Sequence, residues 1–204
     1  MKRVTLFKLL GSFAVIGAAA SVAGLGTFAS FTSSTSASQA ISSGTVSIVL
    51  GSAGTATNRL TIGASNLVAG DTIQRAADLS STSSDPLASV QLGTVASPTS
   101  LLDTDATNGL QMVIDKCSAV WTEAGTAPAY TYTCVGTTTT VLASRAVIGS
   151  NLSLSNLAAT TSGSTTDHLR VTLTLPAAAP NSLQGQSSTI AYTFTGTQRA
   201  ATNK

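Results

Sequence analysis

Short runs of residues in this chain alternate apolar and polar side chains with a period of two, and that pattern constrains the fold more than any other feature of the sequence. The runs are "TVSIVL" (45–50), "RLTIG" (59–63), "ASVQLGTV" (88–95), "LQMVID" (110–115), "AYTYTC" (129–134), "HLRVTLTL" (168–175) and "STIAYTFTGTQ" (188–198). Successive side chains of a strand point to opposite faces, so such runs form half-buried strands rather than helices. Between them lie "GSAGTATN", "SSTSSDP", "DTDATNG" and "TTSGSTTD", clusters of the residues that make turns. Only "PLASVQ" and "VLASRAVIGSNLSLSNLAA" leave room for a helical turn or two. Many short strands, turn-rich spacers and no strong amphipathic helix predict an all-β fold. The expected architecture is an antiparallel β-sandwich, jelly-roll-like, with short helical turns in its loops. No fixed internal period is present, which argues against a solenoid.

Composition points the same way. At 204 residues the chain is long enough for a buried core in one or at most two domains. Only 9% of residues are charged and 4% aromatic, so hydroxyls of Ser and Thr must cover much of the surface. Glu, Lys, Gln and Arg, which favour helices, are scarce, whereas Thr and Val suit a pleated, half-buried surface.

The N-terminus reads as an export signal. Lys2, Arg3 and Lys8 precede an apolar stretch from Leu9 to Ala29, with small residues Thr27 and Ala29 before a polar segment. Cleavage is expected between Ala29 and Ser30. About 20 apolar residues can also span a bilayer as a helix, so a retained anchor stays open, and with it the only expected membrane contact. In either case the positive flank stays inside and the rest of the chain lies outside the cell. Loss of residues 1–29 removes three of the ten basic groups and none of the eight acidic ones, leaving a net charge of about −1. No clustered basic face is left for nucleic acid. The expected layout is a signal peptide at 1–29, an N-terminal segment at 30–50 and a sandwich domain at 51–204.

Cys117 and Cys134 are an even pair in an exported chain, 17 positions apart, and point to a structural disulfide. A metal site would need more soft ligands, and a redox pair is more often a CxxC. Closing a loop of that size stabilises by about 3 kcal/mol on the chain-entropy model. Trp121 lies close by in sequence and is expected to pack against the bridge.

Three blocks carry a resemblance to a known family. "GTFASF" at the apolar border is followed by polar residues and then by "SGTVSI"; "NLVAGDTIQR" spans 66–75; "NSLQGQSSTIAYTFTGTQ" spans 181–198. In order and spacing they resemble the TasA and camelysin family of exported bacterial proteins, which are processed by a signal peptidase of the SipW type. Ala69 stands where that family usually has Pro, and the cysteine pair is not one of its general features. The blocks also have a plain physical meaning. Gly70 and Asp71 make a turn before a strand, and Gly185 does the same in its loop, since Gly accepts positive φ without steric cost.

The resemblance to camelysin implies a metalloprotease, and the residues argue against it. A zincin needs two His one helical turn apart with a Glu between them, whereas this chain has one His, His168, and one Glu, Glu123. His168 is expected at a strand entrance as a surface or turn residue. No G-x-S-x-G elbow occurs, and no phosphate loop leads from a strand into a helix. No catalytic residue and no cofactor is expected. "DTDATNG" offers Asp103, Asp105 and Asn108 as oxygen donors of the kind Ca²⁺ favours. Its Gly is one place late for an EF-hand and no bidentate Glu follows, so an Asx-rich turn is the plainer reading.

The resemblance to TasA implies a structural role, as an exported subunit of an extracellular fibre or biofilm matrix. Residues 30–50 could then act as a donor strand for the next subunit, a head-to-tail homopolymer contact. Thr45, Ser47 and Val49 would face one way; Val46, Ile48 and Leu50 would face the other and enter the neighbour. The same strand could equally be the first of its own sandwich, and both hold if it swaps on assembly. The alternatives are a camelysin-like cell-surface metalloendopeptidase and a monomeric adhesion module.

Overall fold

The computed structural model describes residues 46–202. The expected signal peptide, its Ala29–Ser30 junction and residues 30–45 lie outside the described residues.

Ten strands are described, and most follow the alternating runs. In chain order they are β1 (Ile48–Leu50), β2 (Thr72–Ser81), β3 (Leu87–Ala96), β4 (Gln111–Cys117), β5 (Thr122–Ala124), β6 (Thr131–Thr133), β7 (Thr138–Ala146), β8 (Gly149–Leu154), β9 (Thr165–Thr174) and β10 (Ile190–Gln198). A short helix, α1 (Leu101–Thr104), and 3-10 turns at Ala158–Thr160 and Asn181–Leu183 lie in the connections. All pairings are antiparallel. One sheet runs β1-β2-β9-β4-β7, a second runs β10-β3-β8, and β5 pairs with β6 alone.

Inward side chains of both larger sheets meet in one core. Leu79 of β2, Leu92 of β3, Ile114 of β4, Val141 of β7, Leu154 of β8 and Leu169 of β9 all belong to it, so the fold is an all-β sandwich. The buried hydroxyl of Thr94 on β3 donates to the Val147 carbonyl at 2.6 Å and accepts from the Gly149 N–H at 2.9 Å. That satisfies the backbone where the chain passes from one sheet to the other between β7 and β8.

The structure departs from the sequence expectations in two places. "RLTIG" is a loop: Leu60 still packs on the core, but the Ile62 and Gly63 carbonyls accept from the guanidinium of buried Arg75 at 2.7 and 3.0 Å. "PLASVQ" and most of the 141–159 stretch are strand, in β3, β7 and β8; helical geometry there is confined to the turn that starts at Ala158. The turn glycines behave as expected. Gly70 and Gly185 have φ of 96° and 68°, and the Asp71 carboxylate accepts from the Val68 N–H at 2.9 Å.

Candidate functional site

β1 lies at the edge of the five-stranded sheet, and β10 at an edge of the three-stranded one. β1 is only three residues long, pairing Ile48 with Ser81, Val49 with Ser80 and Leu50 with Leu79. Ile48 and Leu50 pack on the core, whereas Val49 is 51% exposed and Val46, ahead of the strand, is 41% exposed. The alternation therefore holds for Ile48, Val49 and Leu50 but does not carry Val46 inward. Ile48 reaches β10 at Gly196. A Cβ built there would stand 3.3 Å from Ile48 Cγ2 and 3.1 Å from Leu87 Cδ1, so the absent side chain makes the slot that Ile48 fills.

Backbone bonds hold the strand at both ends. Ser47 donates its N–H to Ser83 Oγ at 3.0 Å and accepts from the Thr82 N–H at 3.1 Å. Gly51 donates to the Asp78 carbonyl at 3.0 Å. The loop at 52–57 then turns back, so that the Asp78 N–H donates to the Thr57 carbonyl at 2.7 Å. Asn58, buried, donates from Nδ2 to the Gly51 carbonyl at 3.0 Å and closes the loop. Beyond it, a cavity of about 780 Å³ opens, lined both by apolar side chains such as Leu50, Ile73 and Tyr192 and by Asn66, Gln186 and Ser188. Burial pushes the Tyr192 phenol up to about 12, so it stays neutral there.

A second cluster covers the opposite, outward face of β2, β9 and β4. Cys117 and Cys134 form a disulfide with a Cα–Cα distance of 5.6 Å. The chain between them carries β5 and β6 and folds over Ala76 as a flap, burying Trp121 and Tyr132. Trp121 Nε1 donates to the His168 carbonyl at 2.8 Å, and the Arg170 guanidinium lies 4.4 Å from its ring centroid. Glu123 on the flap accepts from Arg59 Nε and Nη2 at 2.9 and 2.7 Å and from the Tyr132 hydroxyl at 2.9 Å. The Arg59 hydrogen bond is the main reason that the Glu123 carboxyl sits below its usual range. Burial first, then the bond to Glu123, pushes Tyr132 up to about 12.

The residues considered for chemistry are occupied elsewhere. His168 is not at a strand entrance: it lies within β9, opposite Asp78 of β2, with Nδ1 at 2.7 Å from Asp78 Oδ1. Asp103 is buried in the capping box of α1, accepting from the Ser100 N–H at 2.7 Å and from the Ser188 hydroxyl. Asp105 accepts from the N–H groups of Thr107 and Asn108 and from Asn108 Nδ2. Those bonds, the Asn108 backbone first, hold the Asp105 carboxyl below its usual range. Among the described residues no three His, Cys, Asp or Glu side chains gather where a metal ion could sit. A zinc site takes three or four such donors, so the donor set described does not fit one.

Arg59 and Glu123 are not singled out by any local pattern. The available signal is scarcity: when 9% of residues are charged, each half-buried one needs a specific partner. Among the described residues, no helix is long and apolar enough to cross a membrane.

No curated protein matches the chain. A family model described as camelysin metallo-endopeptidase matches residues 5–203, nearly the whole length, and the chain belongs to that family.

Proposed function

We propose that the protein is an exported structural subunit of an extracellular fibre or matrix that assembles by strand donation between identical copies. The observation that carries this reading is β1. A three-residue edge strand holds few backbone bonds, yet it fills a core slot with Ile48 and Leu50 and directly follows a long N-terminal segment. If β1 leaves its own sheet and enters that of a neighbour, the packing and hydrogen bonds it gives up within one copy are remade between two. The arrangement is head-to-tail and need not close, so it propagates. Leu50 also lines the cavity, which gives the donated segment further surface to cover. Cleavage at Ala29 by a peptidase of the SipW type would free the segment at the moment of export. The chain from residue 30 onward, incubated and followed by light scattering and negative-stain microscopy, should form filaments of uniform width, and deleting residues 30–50 should abolish them. Unchanged polymerisation after that deletion would exclude donation.

The family description favours a second reading, a metallo-endopeptidase. Casein hydrolysis that stops with a chelator and returns with Zn²⁺ would support it; no hydrolysis under either condition would leave the structural role.

A further inference from the structure

We infer that the disulfide-fastened flap is a latch on the hinge through which β1 would leave its own domain. If β1 swings out, the chain must bend at residues 51–58, the loop that joins it to the rest of the sandwich. Arg59 ends that loop and is gripped from two directions. Its backbone N–H donates to the Ala76 carbonyl at 2.8 Å, and its Nη1 donates back to the Gly54 carbonyl inside the loop. The rest of its guanidinium is held by Glu123, at 2.9 and 2.7 Å, and lies 4.7 Å from the Tyr130 ring centroid. Both partners belong to the flap. The guanidinium thus bridges flap and hinge with one rigid, planar group.

The flap is anchored independently of that bridge. Its base is closed by Cys117–Cys134, and its second strand, β6, is tied down by Tyr132, whose N–H donates to the Gln74 side chain on β2 at 3.1 Å. The flap thus has anchors that do not involve Arg59, and the Tyr132 hydroxyl holds Glu123 at 2.9 Å. Without the disulfide the flap loses its closed base, and Glu123 loses its fixed position. The latch sets how readily β1 is released; its consequence for assembly rests on the strand-donation reading above.

Amide hydrogen exchange read by mass spectrometry tests this on the folded chain. Compared are wild type, Glu123→Gln, the paired Cys117→Ser and Cys134→Ser variant, and the charge-reversed Arg59→Glu with Glu123→Arg. Glu123→Gln and the cysteine variant should raise exchange across residues 46–51 by about fivefold, the scale of a partly exposed ion pair. In Glu123→Gln exchange in β9 should stay unchanged, whereas the cysteine variant, which loses the cross-link, should exchange faster there as well; the charge-reversed pair should recover much of the protection at 46–51. Unchanged exchange at 46–51 while the flap exchanges faster would overturn the latch, and so would an equal rise in β9 of Glu123→Gln, which reports general destabilisation. The same samples are then followed for filaments. Faster exchange at 46–51 with faster polymerisation supports both claims; faster exchange with no filaments from any sample leaves the latch standing and removes strand donation.

Discussion

Filling the slot opposite Ile48 gives a quantitative test of how β1 is seated. Gly196→Val introduces a Cβ at 3.1 Å from Leu87 Cδ1 and 3.3 Å from Ile48 Cγ2, and its two methyl groups extend beyond that point. Overpacking of this kind costs about 1–3 kcal/mol, partly offset by the better strand propensity of Val. Ile48→Ala empties the same slot. A fully buried Ile→Ala costs about 2–5 kcal/mol, and the partial burial of Ile48 lowers the expectation to about 1–2 kcal/mol. In the double variant the Val methyls occupy the space vacated by Ile48, so its loss should fall short of the sum of the single losses by about 1 kcal/mol or more. The assay is urea unfolding followed by the fluorescence of Trp121, the one tryptophan. Val49→Ala, on the exposed side of β1, serves as the control and should change stability by less than about 0.5 kcal/mol. Additive losses in the double variant, or a Val49→Ala cost equal to that of Ile48→Ala, would refute the placement of Ile48 against Gly196 of β10.

Replacing both Cys117 and Cys134 by Ser should cost about 3 kcal/mol, given the 17-residue separation, and denaturant midpoints with and without a dithiol reductant check it. Asp103→Ala removes the acceptor of the Ser100 and Ser188 hydrogen bonds and should cost about 1–3 kcal/mol; Asp103→Asn, which keeps one acceptor oxygen, should cost less. Tyr132 and Tyr192 are both raised from 10.0 to about 12. Their unfolded forms ionise first, so stability is whole below pH 10 and declines as pH rises from 10 towards 12. Tyr132→Phe and Tyr192→Phe should each flatten that decline in thermal melts. On the acid side Glu123 and Asp105 lie below their ordinary 4.5 and 3.8. Their contribution is present above those values and is lost as pH falls through the lower folded ones, a loss that Glu123→Gln should reduce.

The sandwich was readable where one face of a strand packs on the core: β3, β4, β9 and β10 all coincide with alternating runs. β7 and β8 were harder to see. Ala and Ser dilute their alternation, and the β4–β7 pairing shifts register twice, which breaks a strict period. "RLTIG" misled for the opposite reason. Its alternation is real, but Arg75 takes the Ile62 and Gly63 carbonyls that a neighbouring strand would otherwise have used. The edge character of β1 could not be read from its residues, because sheet order is set by partners far along the chain. Nor could the flap: β5 and β6 are three residues each, too short for a period. Arg59 and Glu123 are 64 positions apart, and only the fold brings them together.

Strand exchange between copies has a direct chemical signature, because Val49 of β1 stands opposite Ser80 of β2. One preparation carries Val49→Cys, a second carries Ser80→Cys, and the two are mixed and oxidised under assembly conditions. A control chain carrying both substitutions shows that the pair can bridge when β1 lies in its own sheet. Strand donation predicts disulfide-linked dimers of one chain of each kind, increasing as filaments form and absent from mixtures too dilute to assemble. Filaments that form while the mixed chains stay unlinked, with the control bridging efficiently, would contradict it.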